Sequence, residues 1–518
     1  MTLIPSYFNL FDYFLAEERL SEIGAHTAIE FRGSRITYSE LRVEVDYWTD
    51  HLLAVGIEQG DRVALLLYDS PEFVATFLAA VSIGAIAVPI NTFLSPDEVM
   101  YILGDSGARL VIAEDELEFK INLTEGKVSE QCSALVIDTA QRQFLEPKEE
   151  FERPAFPATT RATPAILLYT SGSTGAPKGV LHRHGSVEYT VDTYARSVLR
   201  LSAGDRVYSA SRLFFAYGLG NSLSFPLAAG ATVILSSERP TAEYLSTLFE
   251  EQSPTVLFGV PAVYRALLDH HEANRLETST LRLCVSAGEA LPSKIFQDWN
   301  RTFGLEIVDG IGSTEMLHIF ISNRQGGARA GSSGSVVDGY DAKLIDDAGD
   351  EVAADQLGHL WVKGKSATAG YWKREELTRE TIKDGWVKTG DIYRRDSDGF
   401  FYHIGRSDDC FKVKGLWVSP IEVESALVSH EAVVEAAVIA VTDSNGLATA
   451  KAYVVIRNQG ESDALKEELR LFVGSRLQHH KVPSEIEFIS EMPRTSTGKV
   501  QRYKLREGGR PTGDSHEK

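Results

Sequence analysis

Short apolar runs recur along most of this chain, each followed by a helical pattern or a turn. Arg62 to Leu67 reads as a buried strand, Pro71 to Ile83 as a helix and Ala85 to Ile90 as a strand. The runs Leu110 to Ala113, Ala134 to Ile137, Thr232 to Leu235, Thr255 to Phe258 and Leu281 to Ser286 continue the series. Continuous four- to six-residue runs suit strands buried on both faces. Alternation with helices therefore predicts an α/β fold of parallel sheets, covered by helices on either side. The best membrane candidate, Val74 to Ile90, is interrupted by Ser82, Gly84 and Pro89 and reads as buried core. No repeat of solenoid length is present.

The last hundred or so residues follow another pattern. Ser419-Pro420-Ile421-Glu422 reads as a capping box with proline at the first helical position. Val433 to Val441 and Ala448 to Ile456 read as strands joined by a turn at Asp443 to Gly446. Ser462 to Leu477 is amphipathic, with Leu465, Leu469, Phe472, Val473 and Leu477 on one face. A small α+β domain is expected over 408–518, after a large N-terminal domain of stacked α/β sheets over 1–407. Pro147 to Pro164 reads as an exposed connection, and Glu507 to Lys518 as a disordered tail.

Composition excludes some functions. A net charge of −21 over 518 residues argues against nucleic acid as a partner. It leaves room for small anions, which need only a local cationic patch such as Arg494, Lys499, Arg502, Lys504 and Arg506. Three scattered cysteines form neither a disulfide framework nor a zinc site, which fits a reducing cytoplasm. Met1 to Leu20 lacks the basic and apolar regions of a signal peptide.

The segment Tyr169-Thr170-Ser171-Gly172-Ser173-Thr174-Gly175-Ala176-Pro177-Lys178-Gly179 follows the apolar run Ala165 to Leu168. Glycines permit close backbone approach, hydroxyls and exposed N–H groups donate to phosphate oxygens, and a lysine adds charge. The Walker pattern, which needs Gly-Lys followed by Ser or Thr, fails here and again at Gly498-Lys499-Val500. The loop resembles instead the phosphate loop of the adenylate-forming superfamily: acyl- and aryl-CoA synthetases, adenylation domains and luciferases. Further motifs of that superfamily follow in order. They are Asp309-Gly310-Ile311-Gly312-Ser313-Thr314-Glu315, Thr389-Gly390-Asp391, Tyr402 to Asp409, and Pro493 to Lys499.

The resemblance implies a role for each. Thr314 would contact the α-phosphate, and Glu315 would help hold Mg²⁺, a hard cation that favours carboxylate oxygen. Gly288, Glu289, Asp309, Gly310 and Ile311 would line the nucleotide site, with Asp391 and Arg406 on the ribose. Asp408 would be an interdomain hinge, Lys499 the catalytic lysine, and Gly415 would face the thiol channel. Activation of a carboxylate by attack on the α-phosphorus of ATP brings like charges together. Such a site needs cations and donors more than a general base. Lys499 would bridge the carboxylate and the α-phosphate.

Arg212 to Asn221 and Ile311 to Phe320 resemble benzoate-CoA ligases. Phe215 would stand at the gate. Ala216, where amino-acid-activating relatives carry Asp, leaves an α-ammonium unpaired. Tyr217, Gly218, Ala287, Gly288, Gly312, Ile311 and Leu317 would form a short aromatic slot, the glycines leaving room for a flat ring. His318 is either a core side chain or a contact to the carboxylate or an ortho substituent. The implied activity is an ATP-dependent aryl-CoA ligase acting on benzoate, 2-aminobenzoate or a hydroxybenzoate, with ATP, Mg²⁺ and coenzyme A. The alternative is an aryl-acid adenylation enzyme loading a carrier protein in trans. A homodimer stays open.

Overall fold

The computed structural model describes residues 7–124, 126–138, 158–170, 176–413, 416–442, 447–457, 462–494 and 500–506. Two mixed sheets build the first part of the chain. One has seven strands, in spatial order Gly370–Tyr371, Lys178–Arg183, Pro164–Thr170, Ile86–Pro89, Arg62–Leu66, Leu110–Glu114 and Ser133–Ile137. The other has nine, in order Ser335–Val336, Ile319–Ser322, Ile307–Gly312, Leu283–Ser286, Val256–Gly259, Arg206–Ser209, Thr232–Leu235, Thr27–Phe31 and Ser34–Thr37. The strands foreseen from apolar runs are the parallel part of these sheets, all interior except Ser133–Ile137, which forms one edge. The strands added at their ends pair antiparallel. The fold is thus mixed α/β, with a large and a small part.

Helix Pro71–Ser82 shows why the apolar run at 74–90 belongs to the interior. Ser70 caps it by accepting from the Phe73 N–H at 3.2 Å, proline fills the first turn, and every residue but Glu72 is buried. Among the described residues no helix is long and apolar enough to cross a membrane. The described end of the connection expected to be exposed, 158–164, is exposed at Ala158, Arg161 and Ala162 and anchored at one residue. Thr159 is fully buried, donating to the Phe8 carbonyl at 2.7 Å and accepting from Asn9 at 3.1 Å.

By contacts the chain divides into two compact units, 1–342 with 362–388 and 343–361 with 389–518. The expected cut at 408 falls inside the second unit. Strand Phe401–Arg406 pairs with Trp386–Arg395 from Asp391 onward, so these strands stay together. The rest of the second unit packs Pro420–Val428 and Asp463–Gly474 on the sheet of Val433–Thr442, Ala448–Ile456 and Glu485–Phe488. Leu465, Leu469 and Val473 face that core as their spacing predicts. The capping box is half formed. Ser419 accepts from the Glu422 N–H at 3.2 Å, but the Glu422 carboxylate turns away to Lys481 at 2.6 Å. The turn at 443–446 and the tail from 507 lie outside the described residues.

All three cysteines are buried. Burial raises their thiols to about 11 at Cys132 and about 12 at Cys284 and Cys410.

Candidate active site

In the first unit, the residues singled out for substrate and nucleotide gather where parallel strands end. Four neighbours run side by side: Arg206–Ser209, Val256–Gly259, Leu283–Ser286 and Ile307–Gly312. Their carboxyl ends lead into Arg212 to Gly218, Val260, Ala287 to Glu289, and Ser313 to His318. Ser286 and Asp309 are register partners, so Ala287–Gly288 and Gly310–Ile311 emerge together. In open α/β sheets this carboxyl edge is where ligands bind.

The slot residues meet there. Phe215 caps the short helix Ala216–Leu219, and its ring stacks edge-on to Phe214, which packs in turn on Phe93. Tyr217 lies against Phe258 and His318, with ring centroids 6.1 and 5.5 Å apart. The backbone demands three of the four glycines at 218, 288, 310 and 312: a Cβ on Gly310 would sit 2.9 Å from the Ile321 carbonyl oxygen. A Cβ on Gly218 would sit 1.9 Å from the Arg212 carbonyl oxygen, and one on Gly312 2.6 Å from that of His318. Room for a ring is therefore not what requires glycine at 218 or 312. At Gly288 a Cβ would meet only Val260, at 3.9 Å.

His318 is 3% exposed. Its Nε2–H donates to Asn221 Oδ1 at 3.1 Å, and the rings of Tyr194, Tyr217 and Phe225 surround it. Burial drives its pKa down to about 3, so the imidazole is neutral. The preceding Leu317 has φ +66°, a strained conformation for a leucine, held at the turn after Glu315.

The two strands that flank the expected phosphate loop are paired. Strand Pro164–Thr170 pairs antiparallel with Lys178–Arg183, and Thr170 faces Lys178 across the ladder. Ser171, Gly172, Ser173, Thr174 and Gly175 lie outside the described residues. Thr314 and Glu315 form a single 3₁₀ turn capped by Ser313, which accepts from the Met316 N–H at 3.3 Å. His182, on the strand after the loop, donates from Nε2 to the Thr314 carbonyl at 2.7 Å. It is fully buried, and that burial pulls its pKa down to about 4. The Thr368 N–H donates to the Glu315 carbonyl, and the Tyr371 hydroxyl to Glu315 Oε1, both at 2.7 Å. Sequence reasoning missed His182 and Tyr371: each acts on the 314–315 turn from a distant strand, which no local motif announces.

The donor set suits one hard cation. Among the described residues no group of three His, Cys, Asp or Glu could hold a metal. Glu315 offers a single half-buried carboxylate, one oxygen of which already accepts from Tyr371. Mg²⁺ commonly takes one or two protein carboxylates and fills its shell with substrate phosphates and water.

Asp309 is 5% exposed; burial lifts its carboxyl well above the usual carboxylate range, and Oδ1 has no partner.

The second unit carries the other proposed nucleotide residues. Asp391 and Arg406 are cross-strand partners, joined at 3.2 Å through Arg406 Nη1 and Asp391 Oδ1. His403 Nε2 lies 3.4 Å from the same oxygen, a partner the motif contained but did not flag. Burial pushes the Asp391 pKa up, and the hydrogen bond from His403 with the charge of Arg406 brings it below the ordinary value.

The cationic tail patch is not free. Arg494 pairs with Glu435, Arg502 with Glu424 at 2.8 Å, and Arg506 with Asp409 at 2.7 Å. Lys499 and Gly415 lie outside the described residues.

Comparison with known proteins matches residues 16–372 to the AMP-binding enzyme family and 422–499 to the AMP-binding enzyme C-terminal domain. Benzoate–CoA ligase of Thauera aromatica is 40% identical over 97% of this chain and 96% of its own length. The crystal structure of the anthranilate CoA ligase AuaEII with anthranoyl-AMP matches with TM-score 0.90 and 37% identity over 98% of both chains. A benzoate CoA ligase from Burkholderia xenovorans LB400 matches with TM-score 0.87 and 40% identity, over 96% of this chain and 100% of that one.

Proposed function

Because this chain belongs to the AMP-binding enzyme family, and is with it an AMP-forming acid–thiol ligase, we propose that it activates benzoate or a ring-substituted benzoate and transfers the aroyl group to coenzyme A. The observation that carries the reading of the acid is the aromatic packing at the carboxyl edge of the nine-stranded sheet, where Tyr217 lies between Phe258 and His318 and Phe215 packs on Phe214. Anthranilate, the acid of the AuaEII structure, and hydroxybenzoate are the other candidates. Their ring donors need an acceptor, which a neutral His318 can offer and an imidazolium cannot.

The residues divide the work. Phe215 and Tyr217 orient the flat ring so that its carboxylate meets the α-phosphorus at attack distance. Ala216 leaves no counter-charge for an α-ammonium, which excludes amino acids. Thr170, Lys178 and the loop between them hold the phosphates. Thr314 donates to the α-phosphate, Glu315 holds the divalent ion, and Asp309 with Gly288 and Glu289 faces the base. When bound, Mg²⁺ neutralises phosphate charge as pyrophosphate leaves. Asp391, kept ionised by His403 and Arg406, accepts from the ribose hydroxyls. Lys499 stabilises the first transition state. Rotation about Asp408 then brings Gly415 to the thiol channel for attack on the aroyl carbon and release of AMP.

AMP release with coenzyme A across benzoate, 2-aminobenzoate, 4-hydroxybenzoate, octanoate and phenylalanine tests the reading. The benzoates should exceed the other two in kcat/KM by at least about 10²-fold, the discrimination expected of a shaped apolar site. A winning octanoate or phenylalanine would sink it. Replacing coenzyme A by a holo carrier protein separates the two acceptors.

A further inference from the structure

Segment 368–374 makes contacts that the substrate-handling residues alone do not require. Its backbone adds a short strand, Gly370–Tyr371, to the edge of Lys178–Arg183, with Tyr371 opposite Val180. That pairing carries the Tyr371 hydroxyl to Glu315 Oε1 at 2.7 Å, across 56 positions of sequence. Three residues earlier the Thr368 N–H bonds the Glu315 carbonyl at 2.7 Å, so both ends of the glutamate are gripped by the same segment. Beyond Tyr371, Trp372 Nε1 donates to the Asp105 carbonyl at 3.0 Å, and Arg374 lies 3.4 Å from the Asp105 carboxylate. The other oxygen of that carboxylate accepts from the Tyr169 hydroxyl at 2.7 Å, next to Thr170, where the phosphate loop begins. All these residues belong to the first compact unit.

We propose that Tyr371 is a positioning residue for the metal-binding carboxylate, and that 368–374 sets Glu315 and the base of the phosphate loop at a fixed spacing. A phenol donating to one carboxylate oxygen fixes the carboxyl plane and leaves the other oxygen as the cation ligand. Hydrogen-bond partners of metal-binding carboxylates commonly govern metal affinity by 10–100-fold. The inference rests on the reading of Glu315 as the metal carboxylate, and the experiment separates the two.

Mn²⁺ binding is measured by the loss of its free electron-paramagnetic signal, in the presence of α,β-methylene ATP, for wild type, Tyr371→Phe, Glu315→Gln and the double variant. Tyr371→Phe should weaken Mn²⁺ binding about 10-fold with an unchanged melting temperature and an unchanged KM for benzoate. Glu315→Gln should weaken it at least as much, and the double variant no further, since Tyr371 acts through Glu315. An intact Mn²⁺ affinity in Tyr371→Phe beside a weakened Glu315→Gln overturns the role of Tyr371 and leaves Glu315 standing. An intact affinity in Glu315→Gln overturns the metal reading and this inference with it. A fall in melting temperature with equal losses for Mn²⁺ and benzoate would make Tyr371 merely structural.

Discussion

His184 should make the first unit acid-labile in a measurable way. Its ring is fully buried, and Nδ1 accepts from the Leu10 N–H at 3.1 Å, so the folded state needs this nitrogen unprotonated. Burial lowers its pKa from 6.5 to about 4. A base with a depressed folded pKa contributes stability that is fully present above its unfolded pKa and is lost as pH falls toward the folded one. Between pH 7.0 and 5.5 the unfolded chain takes up most of a proton at this site and the folded chain almost none. With an unfolded pKa of 6.5, the linkage relation gives a loss of about 1 kcal/mol over that interval. His184→Asn retains a side-chain acceptor near Nδ1 but cannot titrate. Whatever the replacement costs in packing cancels when each protein is compared with itself at two pH values. Urea unfolding at pH 7.0 and 5.5 should therefore show a loss about 1 kcal/mol smaller in the variant. An identical pH dependence in the two proteins would refute the argument.

Arg502→Met should destabilise the second unit by about 3 kcal/mol at pH 8, because it leaves the largely buried Glu424 carboxylate without its cation, held by the Val438 N–H. Burial already raises the Glu424 pKa, so the loss should shrink toward pH 5; calorimetry at both pH values checks this. Lys499→Ala should lower acyl-adenylate formation by at least about 10²-fold yet use synthetic aroyl-AMP and coenzyme A nearly normally; an equal fall in both steps removes its proposed role. Asp408→Pro should preserve pyrophosphate exchange while thioester formation collapses, since proline fixes φ; equal damage would make Asp408 structural. His318→Ala should reorder kcat/KM among ortho-substituted benzoates while leaving KM for ATP alone; an unchanged order returns His318 to the core.

What the sequence disclosed follows from where each signal is stored. Leu110 to Ala113 and Leu281 to Ser286 are legible because a strand buried on both faces must be apolar along its length. Lys178–Arg183 escapes that test: it carries Lys178, His182 and Arg183, and its pairing with Pro164–Thr170 and Gly370–Tyr371 makes it a strand. Glu422 follows the capping pattern, yet Lys481, 59 positions away, outbids the local backbone for its carboxylate. The motif around Glu315 names the carboxylate but not its partner, because Tyr371 reaches it only after Gly370–Tyr371 joins a sheet edge. Glycines 218 and 312 invite a reading in terms of pocket volume, whereas neighbouring carbonyl oxygens require them.

The buried cysteines have an experimental consequence. Thiolates, not thiols, attack maleimides and iodoacetamides, and burial holds Cys132, Cys284 and Cys410 protonated and out of reach at neutral pH. The native folded protein should therefore react slowly with such reagents, Cys410, 9% exposed, before the other two. A cysteine placed at an exposed position in each compact unit, Glu250 in the first and Asp355 in the second, would accept a fluorophore without first stripping the natural ones. Energy transfer between the two dyes would then follow one unit against the other through each half-reaction, in an enzyme whose own thiols label more slowly.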